Sequence, residues 1–156
     1  MIGYGNPGRL DDGLGPALAE AVEALELPGV SVDSDYQLTV EHAHAVALHD
    51  VVVFADAAVS GREPFSFNRL EPAENAGPAF SSHGVEPDEV LGLARYLFGG
   101  QTKGYMLGIR GYQFNEFGEQ LSQEAKANLA EAVRFIEGII SHNLYDDAAE
   151  AQEGGN

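Results

Sequence analysis

A three-layer α/β domain is the fold class that the sequence predicts, and three observations predict it. Apolar runs that read as strands alternate with stretches of helical apolar spacing along most of the chain. One run, Val51-Val-Val-Phe-Ala55, is apolar without a break, as suits a strand covered on both faces of a parallel sheet. A glycine-rich loop also joins the first strand to the first helix, at the kind of junction where doubly wound sheets place their ligands.

Taken in order, Met1 to Gly5 reads as a first strand, shorter than the usual five or so residues. Pro16 suits the opening position of a helix whose apolar face is Leu18, Val22 and Leu25, and Pro28-Gly29 ends it. Val30 to Asp33 reads as a second strand, and Thr39 to His49 as a helix through Val40, Ala43 and Ala47. The apolar run from Val51 follows, closed by Asp56. Phe65 to Leu70 alternates like an edge strand, and Pro72 to Ser82 is a loop. Pro87 opens a helix with Val90, Leu91, Ala94, Leu97 and Phe98 inward, stopped by Gly99-Gly100. Lys103 to Gly111 is a strand. A last helix spans about Ser122 to His142 on Ala125, Leu129, Ala132, Ile136 and Ile140. Residues 1–142 form one domain on this reading. Residues 143–156, with Asp146, Asp147, Glu150 and Glu153, form an acidic tail expected to be disordered.

Composition narrows the partners. The formal net charge is −17, which argues against nucleic acid and anionic membrane. There are no cysteines, so thiolate metal sites and cysteine nucleophiles are excluded. No apolar run approaches the ~20 residues of a membrane span, and a cytoplasmic protein is the simplest expectation.

The chemistry gathers at the first loop. Gly3, Gly5 and Gly8 fit the G-x-G-x-x-G spacing that lets a backbone approach a pyrophosphate. Asp11 and Asp12 follow at once, where a phosphate would meet negative charge. With a strand order starting 2-1-3, Asp12 beyond strand one and Asp56 at the end of strand three converge on one crevice, and His83 is within reach. Two carboxylates and an imidazole suit a borderline divalent cation with positions left open. Each residue also has a plainer role: an N-cap for Asp11 or Asp12, an Asx turn for Asp56, a surface loop for His83. His42 and His44, two apart on a helix, point to different faces, so they and His49 read as structural or surface residues.

Gly3-x-Gly5-Asn6, Asp11-Asp12-Gly13-x-Gly15, Phe54-Ala-Asp56-Ala and Ser81-Ser-His83 before Leu91-x-Leu93-Ala94 together resemble the nickel–iron hydrogenase maturation endopeptidases. Tyr36-Gln37-Leu38 and Gly108-Ile-Arg110-Gly111-Tyr112 resemble a branch of that family. The likeness runs from Met1 to about Ile140. It implies a twisted, mostly parallel five-stranded sheet between helix layers, with the first strand shortened. It implies that Asp12, Asp56 and His83 bind metal and form the catalytic centre, with Gly5, Asn6 and Gln37 meeting the substrate. The implied partner is a hydrogenase large-subunit precursor carrying nickel, from which a short C-terminal peptide is removed; zinc or cadmium would occupy the site in isolation, and a monomer suffices. Asp12 stands where many relatives have Glu, so its arm is one methylene shorter. Either a water at the ion attacks with Asp12 or Asp56 as base, or the ion serves recognition alone. Two rival readings are a nucleotide-binding oxidoreductase domain resting on Gly3, Gly5 and Gly8, and a non-enzymatic nickel metallochaperone.

Overall fold

The computed structural model of the protein describes residues 1–74 and 84–155. Five strands form one sheet: β1 (Ile2–Tyr4), β2 (Asp33–Asp35), β3 (Val51–Ala58), β4 (Phe65–Leu70) and β5 (Lys103–Arg110). Their order is β2-β1-β3-β5-β4, parallel throughout except for β4, which runs antiparallel to β5. The helices are α1 (Leu14–Ala24), α2 (His42–Ala47), α3 (Pro87–Phe98), α4 (Gln123–His142) and α5 (Tyr145–Glu153), and a single 3-10 turn, Leu10–Gly13, precedes α1.

The apolar run of β3 works as expected for a strand covered on both faces. Val53 and Ala55 face a core built with α1, α4 and α5 through Leu14, Leu18, Ala132 and Ile136. Val52 and Phe54 face a second core with α2 and α3 through Ala43, Val46, Val90 and Leu91. Period-two alternation on one strand thus feeds two layers. Each fully buried Leu or Val contributes about 1.5–3 kcal/mol by leaving water. The α3 boundaries are set locally: Glu86 and Glu89 form a reciprocal capping box, Pro87 opens the first turn, and Gly99 closes it in the left-handed conformation.

Several elements depart from the sequence reading. The second strand is Asp33–Asp35 rather than Val30–Asp33, because its register is set by pairing with β1, from Ile2↔Asp33 to Tyr4↔Asp35. That three-residue β1 also leaves Val51 to Val53 of β3 ahead of the register, which begins at Ile2↔Phe54. Helix α1 starts at Leu14, so Pro16 lies within its first turn rather than at its opening position. The second helix is shorter than expected, His42–Ala47. Asp56 does not close β3, which continues to Ala58.

The acidic end is the largest correction. Instead of lying disordered, residues 145–153 form α5. Tertiary contacts override the polar composition. Tyr145 stacks on Tyr105 at 5.5 Å between centroids, and Ala149 is buried in the α1/α4 core. Asp146 accepts hydrogen bonds from the Tyr105 hydroxyl at 2.5 Å, Lys103 at 2.9 Å and Arg69 at 2.9 Å. Gln152 takes the N–H of Phe67 at 2.7 Å, so α5 satisfies a donor on the edge strand β4.

Candidate metal and substrate crevice

The crevice lies at the carboxyl ends of β1 and β3, where the winding of the sheet reverses. Gly5, just past β1, is the point at which its parts meet. A Cβ there would sit 2.1 Å from the carbonyl oxygen of Asp12 and 3.6 Å from Oδ1 of Asp56, and its φ is +139°. Only glycine lets the loop fold back so that Asp12 and Asp56, forty-four positions apart, share one locality. Gly15 does the same for α1. A Cβ there would lie 2.2 Å from the Tyr4 carbonyl oxygen and 2.6 Å from that of Ala55, so the helix start rests on the ends of β1 and β3.

The two carboxylates are held alike. Asp12 Oδ2 accepts the N–H of Asn6 at 2.7 Å, and Asp56 Oδ1 accepts the N–H of Ala57 at 2.8 Å. Among the described residues, each therefore has one oxygen fixed by backbone and a second available to a ligand. The electrostatics are those of a crowded anionic site. Burial pushes the Asp56 carboxyl up to about 7; the Ala57 N–H opposes this, and the negative charges of Asp12 and Glu86 add to it. Burial, then Asp56 and Glu86, likewise raise the Tyr4 phenol above its ordinary value. A divalent cation is what relieves two such carboxylates, so the donor chemistry of Asp12 and Asp56 fits a metal. Among the described residues no three His, Asp or Glu side chains meet at one point. His83, the expected third ligand, lies outside the described residues.

The other expected residues fall around this point. Asn6 supplies the N–H to Asp12, while its side-chain oxygen accepts the N–H of Gly8 at 2.9 Å. That bond fixes the amide so that its NH2 group is turned away from Gly8. Gln37 is exposed and lies beside Gly84, with Oε1 3.6 Å from where a Cβ of that glycine would be. Its neighbour Tyr36 lines a small cavity of about 170 Å³ together with Gly5, Pro7 and Pro16.

Asp11 has a structural role that the sequence reading did not foresee. It caps no helix: α1 is preceded by Gly13, without a side-chain cap, and Asp12 caps nothing either. Asp11 is completely buried. Its Oδ2 accepts the N–H groups of Tyr112 at 2.8 Å and Gln113 at 3.0 Å and the Ser122 hydroxyl at 2.7 Å; Oδ1 accepts the Ser122 N–H at 2.8 Å. Burial alone would raise this carboxyl, but the bonds from Ser122, Tyr112 and Gln113 outweigh it and hold the group below the usual range. Backbone bonds Asp11 N–H to Gln113, Leu10 N–H to Gly118 and Gly118 N–H to Gly8 complete a clamp between the first loop and the β5–α4 connection. The sequence signal was the doubled acid itself, whose two members here take different roles.

Of the histidines at the second helix, His42 ties the helix to the sheet. His42 Nδ1 accepts the N–H of Thr39 at 2.9 Å, which leaves Nε2 turned to Asp33 at 3.7 Å and Asp35 at 3.8 Å, binding α2 to β2. The glycine motif, in turn, serves the chain's own close packing at Gly5, the approach that a pyrophosphate would need. The nucleotide-binding alternative therefore loses its structural basis.

Comparison with known proteins agrees with the geometry. No protein-family model matches the chain, and no curated protein matches it significantly. Solved structures do. The chain is similar to the [NiFe] hydrogenase maturation protease HycI from Thermococcus kodakarensis, with a TM-score of 0.68, 25% identity and 90% of each chain covered. It is similar in fold to the hydrogenase 2 maturation peptidase from Thaumarchaeota archaeon SCGC_AB-539-E09, with a TM-score of 0.64 and 22% identity over 90% of this chain and 96% of the other. The maturating endopeptidase HybD from E. coli gives a TM-score of 0.61 and 22% identity over 91% of both chains. With these neighbours the chain shares the fold of the hydrogenase maturation endopeptidases, and the motifs of the first loop and of β3, with the sheet order that brings them together, are similar to theirs.

Proposed function

We propose that this chain removes a C-terminal peptide from the large-subunit precursor of a nickel–iron hydrogenase, and that Asp12, Asp56 and His83 recognise the nickel the precursor carries. The observation that supports the reading most is the pairing of Asp12 and Asp56 at Gly5, at the reversal point of the sheet. Nickel enters here as cargo of the substrate, not as a resident cofactor. Its recognition fixes the precursor's C-terminal segment in the crevice, and proximity then supplies a large part of the rate. Asp56 is the candidate base: without an ion its carboxyl is pushed to about 7, and taking up nickel releases that proton. Asp12, held by the Asn6 N–H, stays in place beside it. The NH2 group of Asn6 is a donor for a substrate carbonyl. Zinc or cadmium would take the same oxygens in isolated protein.

The test is intact mass of the precursor after incubation, nickel-loaded and nickel-free, with wild type, Asp56→Ala and His83→Ala. The reading predicts shortening of the loaded precursor by wild type alone. Nickel binding without any shortening would instead identify a metallochaperone, and full activity of both variants would remove these residues from the mechanism.

A further inference from the structure

Beside the crevice lies a cavity of about 540 Å³ that none of the assigned residues uses. Leu10, Pro16 and Val32 are among its apolar lining residues, and Glu20, Glu23, Glu119 and Asp33 supply its carboxylates. No lysine or arginine lines it. The three glutamates are exposed and take part in no ion pair among the described residues. The cavity adjoins the crevice through shared lining residues. Pro7, Pro16 and Ser34 line both it and the smaller cavity that reaches Gly5, where Asp12 and Asp56 converge. The adjoining edge strand does not invite pairing with a substrate strand. β2 is three residues long, and the N–H groups of Ser34 and Tyr36 are taken by the side chains of Asp33 and Asp35.

We propose that this groove seats a basic stretch of the substrate polypeptide next to the scissile bond. The apolar lining takes the aliphatic stems of arginine or lysine, whose charged ends reach Glu20, Glu23 and Glu119. Charge complementarity selects the occupant: three unpaired carboxylates beside an apolar lining reject an acidic or nucleotide ligand and favour a cationic one. The inference rests on the endopeptidase reading and adds which substrate segment binds where.

The experiment separates the two. A labelled heptapeptide with two arginines, and its counterpart with two glutamates, are titrated into Asp56→Ala protein by fluorescence anisotropy, so that no cleavage is needed. Saturable binding of the basic peptide alone is expected. Glu20→Gln/Glu23→Gln/Glu119→Gln on that background should weaken it about tenfold, the summed effect of three surface ion pairs. The control Glu137→Gln/Glu150→Gln/Glu153→Gln, on α4 and α5, removes the same charge away from the groove and should leave binding within about twofold. Equal binding of both peptides, or an equal loss in the two triple variants, overturns the groove. With Asp56 restored, the groove variant should process nickel-loaded precursor with a raised KM and an unchanged kcat. If the basic peptide binds as predicted while wild type leaves the precursor uncut, the endopeptidase reading fails and the groove stands.

Discussion

Asp11 accepts four hydrogen bonds and touches no solvent, whereas Asp12, one residue on, accepts one and sits beside a second carboxylate. The first environment was built to keep a negative charge; the second leaves negative charge in surplus. Their difference teaches how the molecule divides labour within a doubled acid. Asp11 makes the loop rigid by supplying what the N–H groups of the β5–α4 connection need. Asp12 and Asp56 accept one backbone hydrogen bond each among the described residues, which on the proposed reading leaves their other oxygens for a cation. The clamp at Asp11 fixes the loop on which Asp12 sits, and burial and neighbouring charge raise the Asp56 carboxyl beside it.

Breaking the clamp should have the largest effect. Asp11→Ala should cost roughly 3–5 kcal/mol, since several charge-assisted hydrogen bonds at about 1.5–3 kcal/mol each are lost without adding fully. Urea denaturation measures it. Because the folded-state carboxyl lies below its ordinary value, this stabilisation is present above the unfolded value and is lost as pH falls from about 4 toward the depressed folded value. Asp11→Asn should show no such acid-dependent loss.

Ser122→Ala comes next. It removes one hydrogen bond to Asp11 and the cap of α4, where the Ser122 hydroxyl accepts the Ala125 N–H, and should cost about 2 kcal/mol in the same assay.

At the crevice the sign reverses. Asp56 is raised to about 7 in the fold, so wild type loses stability as pH climbs from about 4 through 7. Asp56→Asn should escape that loss and be more stable than wild type at pH 8, by about 1–2 kcal/mol after solvent screening. Added nickel should stabilise wild type and leave the variant unmoved. A destabilised Asp56→Asn at pH 8 would mean that its carboxylate is a structural acceptor like Asp11, and the contrast would vanish.

How much was legible in the sequence follows from the same physics. The unbroken apolar run of β3 and the helical spacing of α4 announced themselves, because burial on both faces, or along one stripe, leaves a periodic record. That the loop carrying Asp12 comes back to the end of β3 was legible too, since winding order fixes which strand ends meet. The strand Asp33-Ser-Asp35 was not: its residues have poor strand preference, and pairing with β1 imposes the conformation. Helix α5 was hidden for a related reason. Its composition is that of a solvated tail, and Tyr145, Asp146 and Gln152 find their partners on β4 and β5, far away in sequence. The role of Asp11 depends on residues 101 to 111 positions distant, a pairing no local pattern records.

The central claim is that Asp12 and Asp56 form one cation-seeking pair. Calorimetric titration of nickel into wild type, Asp12→Asn and Asp56→Asn near pH 7, in two buffers of different ionisation enthalpy, tests it most directly. The account predicts that each substitution weakens nickel by roughly tenfold or more, and that the wild-type heat depends on the buffer because Asp56 gives up a proton. Equal affinity in all three proteins, with a buffer-independent heat, would contradict it.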